Sequence, residues 1–199
     1  MTAFWSNIFG NSHPVDVEIG PGTGTFLLSI ATEHPERNYF AIEHSRSRTR
    51  RLEELMTARA VGNVRVIHAD AACVVSTLVP PASVDAYHVY FPDPWWKRRH
   101  YRRRLFTAEF AAALARTVVP AGRVYVATDV EGVFALMRES LEATGAFGEL
   151  AQVASPRATV TSFERKGVAR GATIRRATFA RQTRQPNNAA PMTPAESPS

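Results

Sequence analysis

The chain holds a single cysteine, Cys73. One thiol cannot close an intramolecular disulfide, so no covalent cross-link supports the fold. There is no apolar run long enough to span a bilayer, which excludes a transmembrane helix. Met1 to Pro14 lacks the basic start and continuous apolar core of a signal peptide, and the expectation is a soluble cytoplasmic protein, not one that acts at a membrane. The histidines, His13, His34, His44, His68, His88 and His100, show no metal-ligand spacing, so no metal site is expected. A phosphate loop of the form G-x-x-x-x-G-K-S/T is missing, as is any internal repeat.

Negative charge is the scarcer sign: 18 Asp and Glu stand against 24 Lys and Arg, for a net charge of +6 and a pI near 10.1. Arginine supplies nearly all of the excess, and its guanidinium fork suits phosphate contacts and stacking on bases. An anionic partner such as nucleic acid fits that balance better than a merely basic surface does. At 199 residues and 45% hydrophobic content the chain can bury one substantial core. A single domain over 1–181 is expected. The remainder, 182–199, is rich in Pro, Asn, Ala and Ser with almost no large apolar residues, the composition of a disordered tail.

Strand-like and helix-like segments alternate along the chain. Val15 to Ile19 is a short strand, Gly20-Pro21-Gly22-Thr23-Gly24 a turn, and Thr25 to Thr32 a helix. Tyr39 to Ile42 leads through Glu43 into a long helix with Leu52, Leu55 and Met56 at helical spacing. Val64 to Ile67 ends at Asp70, and Ser83 to Tyr90 is a fourth strand. A helix over Ala108 to Thr117, a turn over Val118 to Gly122, a strand over Arg123 to Ala127 and a helix over Val130 to Ala143 follow. Glu149 to Val153 and Ala172 to Ala180 would complete seven strands, with a polar segment, Thr161 to Gly167, between them. Such alternation predicts a doubly wound, mostly parallel sheet with helices on both faces. Ligands in these sheets bind beyond the carboxyl ends of the strands, where Glu18, Glu43, Asp70, Asp93 and Asp129 all fall.

The glycine turn narrows the ligand. Gly20, Gly22 and Gly24 permit a close backbone approach. The acid just before them, Glu18, would repel a pyrophosphate and suits a ligand with a positive amino group and sulfonium, such as S-adenosylmethionine. Glu43 stands where an acid accepts hydrogen bonds from ribose hydroxyls, and Asp70 where it reaches an adenine edge. A class I methyltransferase follows, with a nicotinamide oxidoreductase as its rival.

A second dense stretch follows the fourth strand: Phe91-Pro92-Asp93-Pro94-Trp95-Trp96-Lys97-Arg98-Arg99-His100, then Tyr101-Arg102-Arg103-Arg104. Two prolines stiffen the backbone around Asp93 and bias the residue before each away from helix. Arg98, Arg99, Arg102, Arg103 and Arg104 would grip a nucleic-acid backbone, setting affinity more than base choice. Trp95 and Trp96 would stack on bases or pack in the turn.

With these residues in view, the sequence resembles the bacterial tRNA (guanine-N7)-methyltransferases. The resemblance rests on Glu18-Ile19-Gly20-Pro21-Gly22-Thr23-Gly24, Ala41-Ile42-Glu43, Asn63-Val64-Arg65 leading to Asp70-Ala71, and Phe91-Pro92-Asp93-Pro94-Trp95 with Lys97-Arg98-Arg99-His100. Thr128-Asp129 and Thr161-Ser162-Phe163-Glu164-Arg165 extend it, so that it covers about Phe9 to Arg181. It implies a seven-stranded, Rossmann-like class I enzyme that methylates N7 of guanine-46 in the tRNA variable loop. It further implies cofactor contacts at Glu18, Gly20, Gly22, Gly24, Glu43, Asp70 and Asp93, with Asp93 also catalytic. Substrate contacts are implied at Lys97, Asp129, Thr161, Ser162, Phe163 and Glu164. The chain departs from the family in its shorter segment before the first strand, in Pro21, in His44-Ser45 after Glu43, and in the tail. A binding protein on the same fold without turnover, or an enzyme acting on another RNA, stays open beside this, and either a monomer or a homodimer is compatible with it.

Overall fold

The computed structural model describes residues 3–94, 104–151 and 161–182. Helix α1 (Ala3–Phe9) precedes β1 (Val15–Ile19), α2 (Thr25–Glu33), β2 (Asn38–Glu43), α3 (Arg46–Ala58), β3 (Val64–His68) and α4 (Ala71–Thr77). Then come β4 (Val84–Tyr90), α5 (Ala108–Thr117), β5 (Val118–Thr128), α6 (Glu131–Glu142), β6 (Phe147–Glu149), α7 (Ser162–Ala169) and β7 (Arg175–Arg181).

All seven strands form one sheet, in the order β3-β2-β1-β4-β5-β7-β6. The first five are parallel; β7 runs antiparallel to both β5 and β6. The order reverses between β1 and β4, so the crevice for a ligand lies beyond the carboxyl ends of those two strands. Every residue of β1 and of β2 is buried, as befits central strands covered on both faces.

Two apolar layers hold the helices to the sheet. On one face Trp5 and Phe9 of α1, Val74 and Val75 of α4, Phe110 and Leu114 of α5, and Met137 and Leu141 of α6 pack on Val17, Val89 and Val126. On the other, Phe26, Leu27 and Ile30 of α2 and Leu52 of α3 pack on Tyr39, Ala41, Ala86 and Tyr125. Fully burying one such side chain contributes about 1.5–3 kcal/mol.

Several expected segments differ. Val118 to Gly122 is not a separate turn but the start of β5, which pairs Val118 with Val84 and, after a register shift, Arg123 with Ala86. The chain bulges between these anchors, with Ala121 at φ +62°, and a bulge of this kind keeps both ends of a strand paired. The sixth strand lies earlier than Glu149 to Val153, because Phe147 and Gly148 already pair with Arg181 and Ala180. The polar segment from Thr161 is a helix, α7, whose start is capped by the Thr161 hydroxyl accepting from the Glu164 N–H at 3.1 Å. Helices α1 and α4 are additional to the expected pattern; both are seven residues long, too short to show a clear helical period. Trp95 to Arg103 and the expected tail beyond Gln182 lie outside the described residues.

Candidate functional site

The turn between β1 and α2 is made by three glycines with positive φ, Gly20 at 69°, Gly22 at 58° and Gly24 at 72°. A side chain would be strained at each. The turn is tied down from three sides: Gly20 N–H donates to the Ile42 carbonyl at 2.9 Å, Gly22 N–H to Glu43 Oε2 at 3.2 Å, and Gly24 N–H to the Pro21 carbonyl at 2.9 Å. A Cβ on Gly24 would collide with Leu52 of α3, whereas one on Gly20 would meet nothing within 4 Å. Gly24 is thus glycine for packing, and Gly20 faces open space at the crevice.

Glu18 and Glu43 are 4% and 3% exposed at the ends of neighbouring strands. Burying two carboxylates side by side is costly unless hydrogen bonds or cations compensate. For Glu43 the compensation is visible: Oε2 takes the Gly22 N–H, Oε1 takes the Ser45 N–H at 2.8 Å, and Arg48 stands 3.9 Å away. One acid therefore joins the glycine turn to the start of α3. Asp70 is exposed, and its Oδ1 accepts the Cys73 N–H at 2.8 Å as the N-cap of α4.

On the other side of the crevice, β4 is followed by Phe91, a non-glycine residue at φ +52° whose N–H donates to the Ala127 carbonyl at 2.7 Å. Phe91 thus stays out of the right-handed helical region, the bias expected of a residue before proline, and is tied to β5 by this one hydrogen bond. Asp93 beyond it is exposed. The Phe91 ring stacks on Phe163 of α7, with centroids 6.3 Å apart and planes at 20°. Phe163 is 53% exposed, and its Cε2 lies 3.7 Å from where a Cβ on Gly22 would stand. Asp129 is also exposed; its Oδ2 lies 3.9 Å from where a Cβ on Gly167 of α7 would stand. Glu164 is buried and paired with Arg176 of β7, while Thr161 caps the helix.

The glycine turn, Glu18, Glu43, Phe91, Phe163 and Asp129 therefore gather at one sheet edge. Lys97, Arg98, Arg99, Arg102 and Arg103 lie outside the described residues, as does the Ser162 side chain. Arg104 is half-buried just before α5. No local pattern in the sequence marks the role of Phe91, whose ring supports Phe163. Nor does one mark a buried polar network beneath α2. There Asp16 accepts from Arg37 at 2.6 Å and lies 3.3 Å from His88 Nε2, and His88 Nδ1 lies 2.9 Å from the Tyr90 hydroxyl. Alternation in Val15 to Ile19 marks Asp16 as facing opposite to Val15 and Val17, but gives no sign that its face is buried too.

A seven-stranded sheet with its switch point beside a buried acid, a glycine turn and a second buried acid defines a class I methyltransferase. The 16S rRNA methyltransferase KamB has this fold: it is similar with a TM-score of 0.66 at 16% identity, over 92% of this chain and 94% of that one. Residues 12–177 match a family model described as "Putative methyltransferase". A tRNA (guanine-N(7)-)-methyltransferase of Paraburkholderia xenovorans (strain LB400) is 34% identical over 170 residues, 84% of this chain and 65% of its own length. Another, of Hydrogenovibrio crunogenus (strain DSM 25203 / XCL-2), is 39% identical over 127 residues, 64% of this chain and 53% of its own length. The chain belongs to the family of bacterial tRNA (guanine-N7)-methyltransferases, and spans less than two thirds of the length of these two relatives.

This fold class implies S-adenosylmethionine as the methyl donor, and the residues fit it. Gly20 leaves open space where a side chain would stand, and two buried carboxylates suit the ribose hydroxyls and positive groups of such a ligand better than a phosphate.

Proposed function

We propose that the protein transfers a methyl group to N7 of a guanine in tRNA, at guanine-46 of the variable loop. The observation that carries this reading is the placement of an exposed aromatic ring, Phe163, against the glycine turn, on the same helix whose Gly167 lies against Asp129. A planar base needs such a face to lie against once it leaves its stack.

S-adenosylmethionine, when bound, supplies an electrophilic methyl group on a cationic sulfur. Guanine N7 carries an in-plane lone pair and no proton, so the protein need not supply a general base. Its task is alignment, and holding two reactants at near-attack distance can lower a barrier by about 7–11 kcal/mol. Glu43 fixes the glycine turn through Gly22, and Glu18 lies buried beside it. Phe163, Asp129 and Thr161 with Ser162 and Glu164 form the substrate side of the site, together with Lys97. Guanine presents donors at N1 and its exocyclic amine, which a carboxylate such as Asp129 accepts. Methylation leaves the ring cationic, and Asp93 stabilises that developing charge. Arg98, Arg99, Arg102, Arg103 and Arg104 hold phosphates.

Incubating unmodified tRNA transcripts with labelled S-adenosylmethionine, followed by nucleoside analysis, tests the assignment. Label should appear in 7-methylguanosine and vanish when guanine-46 is replaced. Label in another nucleoside, or tRNA binding without transfer, overturns it. Asp93→Asn should retain cofactor binding and lose turnover; full turnover would remove the charge-stabilising role.

A further inference from the structure

Helix α3 carries its charges in the reverse of the order a helix favours. Arg46, Arg48, Arg50 and Arg51 occupy its first half, and its acids, Glu53 and Glu54, come after them. The N–H groups at a helix start carry partial positive charge, so acids are favoured there and cations are repelled. No acid stands in the first turn of α3, and the Ser45 side chain makes no capping bond. Packing holds the helix instead: Thr49 and Leu52 are buried, with Leu55 and Met56 against the same apolar layer. Arg46 and Arg48, both in the first turn, work against the helix that bears them.

All four are exposed. Arg51 pairs with Glu54 at 3.0 Å, and Arg48 lies 3.9 Å from Glu43. Arg46 and Arg50, one helical turn apart, enter no ion pair among the described residues. Their place in the fold matters as much as their charge. Helix α3 starts three residues after Glu43, at the sheet edge that carries the glycine turn. Only β1 separates β2 from β4, so the chain leaving β2 and the chain leaving β4 stand about 10 Å apart. The two arginine-rich segments thus follow strands on either side of the glycine turn.

The occupant follows from what the helix does and does not expose. A membrane-surface helix needs an outward apolar face, and the apolar residues of α3 are turned to the core, none of the large exposed apolar side chains lying on it. Guanidinium groups without apolar neighbours suit phosphates. Resting on the tRNA reading above, we infer that the outer face of α3, led by Arg46 and Arg50, is a second phosphate grip for the tRNA substrate. It stands at the sheet edge that carries the glycine turn, and holds the RNA body while the base is presented at Phe163.

The test is a salt series of binding isotherms between the full chain and an unmodified tRNA transcript. Three proteins are compared: the unaltered chain, Arg46→Ala/Arg50→Ala, and Arg59→Ala/Arg123→Ala. The last removes the same charge from exposed positions toward the opposite edge of the sheet. Losing two phosphate contacts should make the slope of log affinity against log salt shallower by about 1.4–1.8, with S-adenosylmethionine affinity unchanged and the unfolding midpoint no lower. The control variant should keep the original slope. An unchanged slope for Arg46→Ala/Arg50→Ala, or an equal change in the control, overturns the grip. So does equally tight binding of the unaltered chain to anionic phospholipid vesicles. Methyl transfer measured in the same samples separates the two readings: tRNA binding without transfer removes the proposed reaction, while the slope still decides the role of α3.

Discussion

Phe163 of α7 stacks on Phe91, the residue just after β4, with ring centroids 6.3 Å apart and planes at 20°. The contact joins two elements far apart in sequence. Phe91 reaches it by taking a left-handed backbone, φ +52°, that is uncommon for a bulky residue. Conformations of this kind cost about 1–3 kcal/mol and persist where the surroundings impose them, often at functional sites. The strain is offset here by the hydrogen bond to Ala127 and by the stack itself.

Phe163→Ala should therefore damage catalysis far more than folding. Base–aromatic stacking is worth about 1–3 kcal/mol per base, which corresponds to roughly a 5- to 150-fold loss in kcat/KM for tRNA. The ring is 53% exposed, so the loss in unfolding free energy should not exceed about 1 kcal/mol. Phe163→Tyr or Trp should restore turnover. Steady-state kinetics beside thermal unfolding measures both, and normal kinetics for the alanine variant would remove Phe163 from the site.

Gly24 and Gly22 are separable by the same substitution. Ala at either position must adopt positive φ, at a cost of about 1–2 kcal/mol. At Gly24 the new Cβ also collides with Leu52, and overpacking adds about 1–3 kcal/mol. Denaturant unfolding should rank Gly24→Ala as the less stable variant. Gly22→Ala should instead show its larger effect on S-adenosylmethionine affinity.

Glu43→Gln tests the acid that joins the turn to α3. An amide has one acceptor oxygen, so it cannot take both the Gly22 and Ser45 N–H groups as the carboxylate does. Hydrogen bonds to a charged group are worth about 1.5–3 kcal/mol, and cofactor affinity measured by calorimetry should fall at least about tenfold. Asp70→Asn is the contrast: Asn caps helices as well as Asp, so α4 should remain intact, and any loss of affinity there reports on the cofactor alone.

The sheet was legible because Val15 to Ile19, Tyr39 to Ile42 and Ser83 to Tyr90 are short runs rich in apolar, β-branched or aromatic residues, with a turn or an acid at the end of each. The five acids fall at one edge for the same reason: strand ends in a parallel sheet fall together. What escaped was long-range or short. Helix α7 read as a polar segment, although Thr161-x-x-Glu164 is the pattern of a helix start. Its pairing with Phe91 depends on the antiparallel return of β7 beside β5, which no local period encodes. Asp16 likewise read as one polar residue in an alternating strand, whereas the helix α2 covers it.

Asp16 contributes to the pH dependence of the fold on its acid side. Burial pushes its carboxyl up, but the hydrogen bond and charge of His88, with Arg37, outweigh that and hold it below the usual value of 3.8. A carboxylate whose folded pKa is depressed stabilises the fold at every pH above its unfolded value. That contribution is lost as pH falls below 3.8 and through the lower folded value, so acid unfolding should begin in this window and be steepened by Asp16. Asp16→Asn removes the charge from a pair whose cation, Arg37, is itself 29% exposed. Breaking a buried pair from one side costs about 3 kcal/mol. Unfolding free energy measured against pH should show that loss near neutrality and a smaller gap between variant and parent in acid, where the parent's Asp16 is protonated as well. A constant gap across the whole range would assign the stability of this network to its shape and not to its charge.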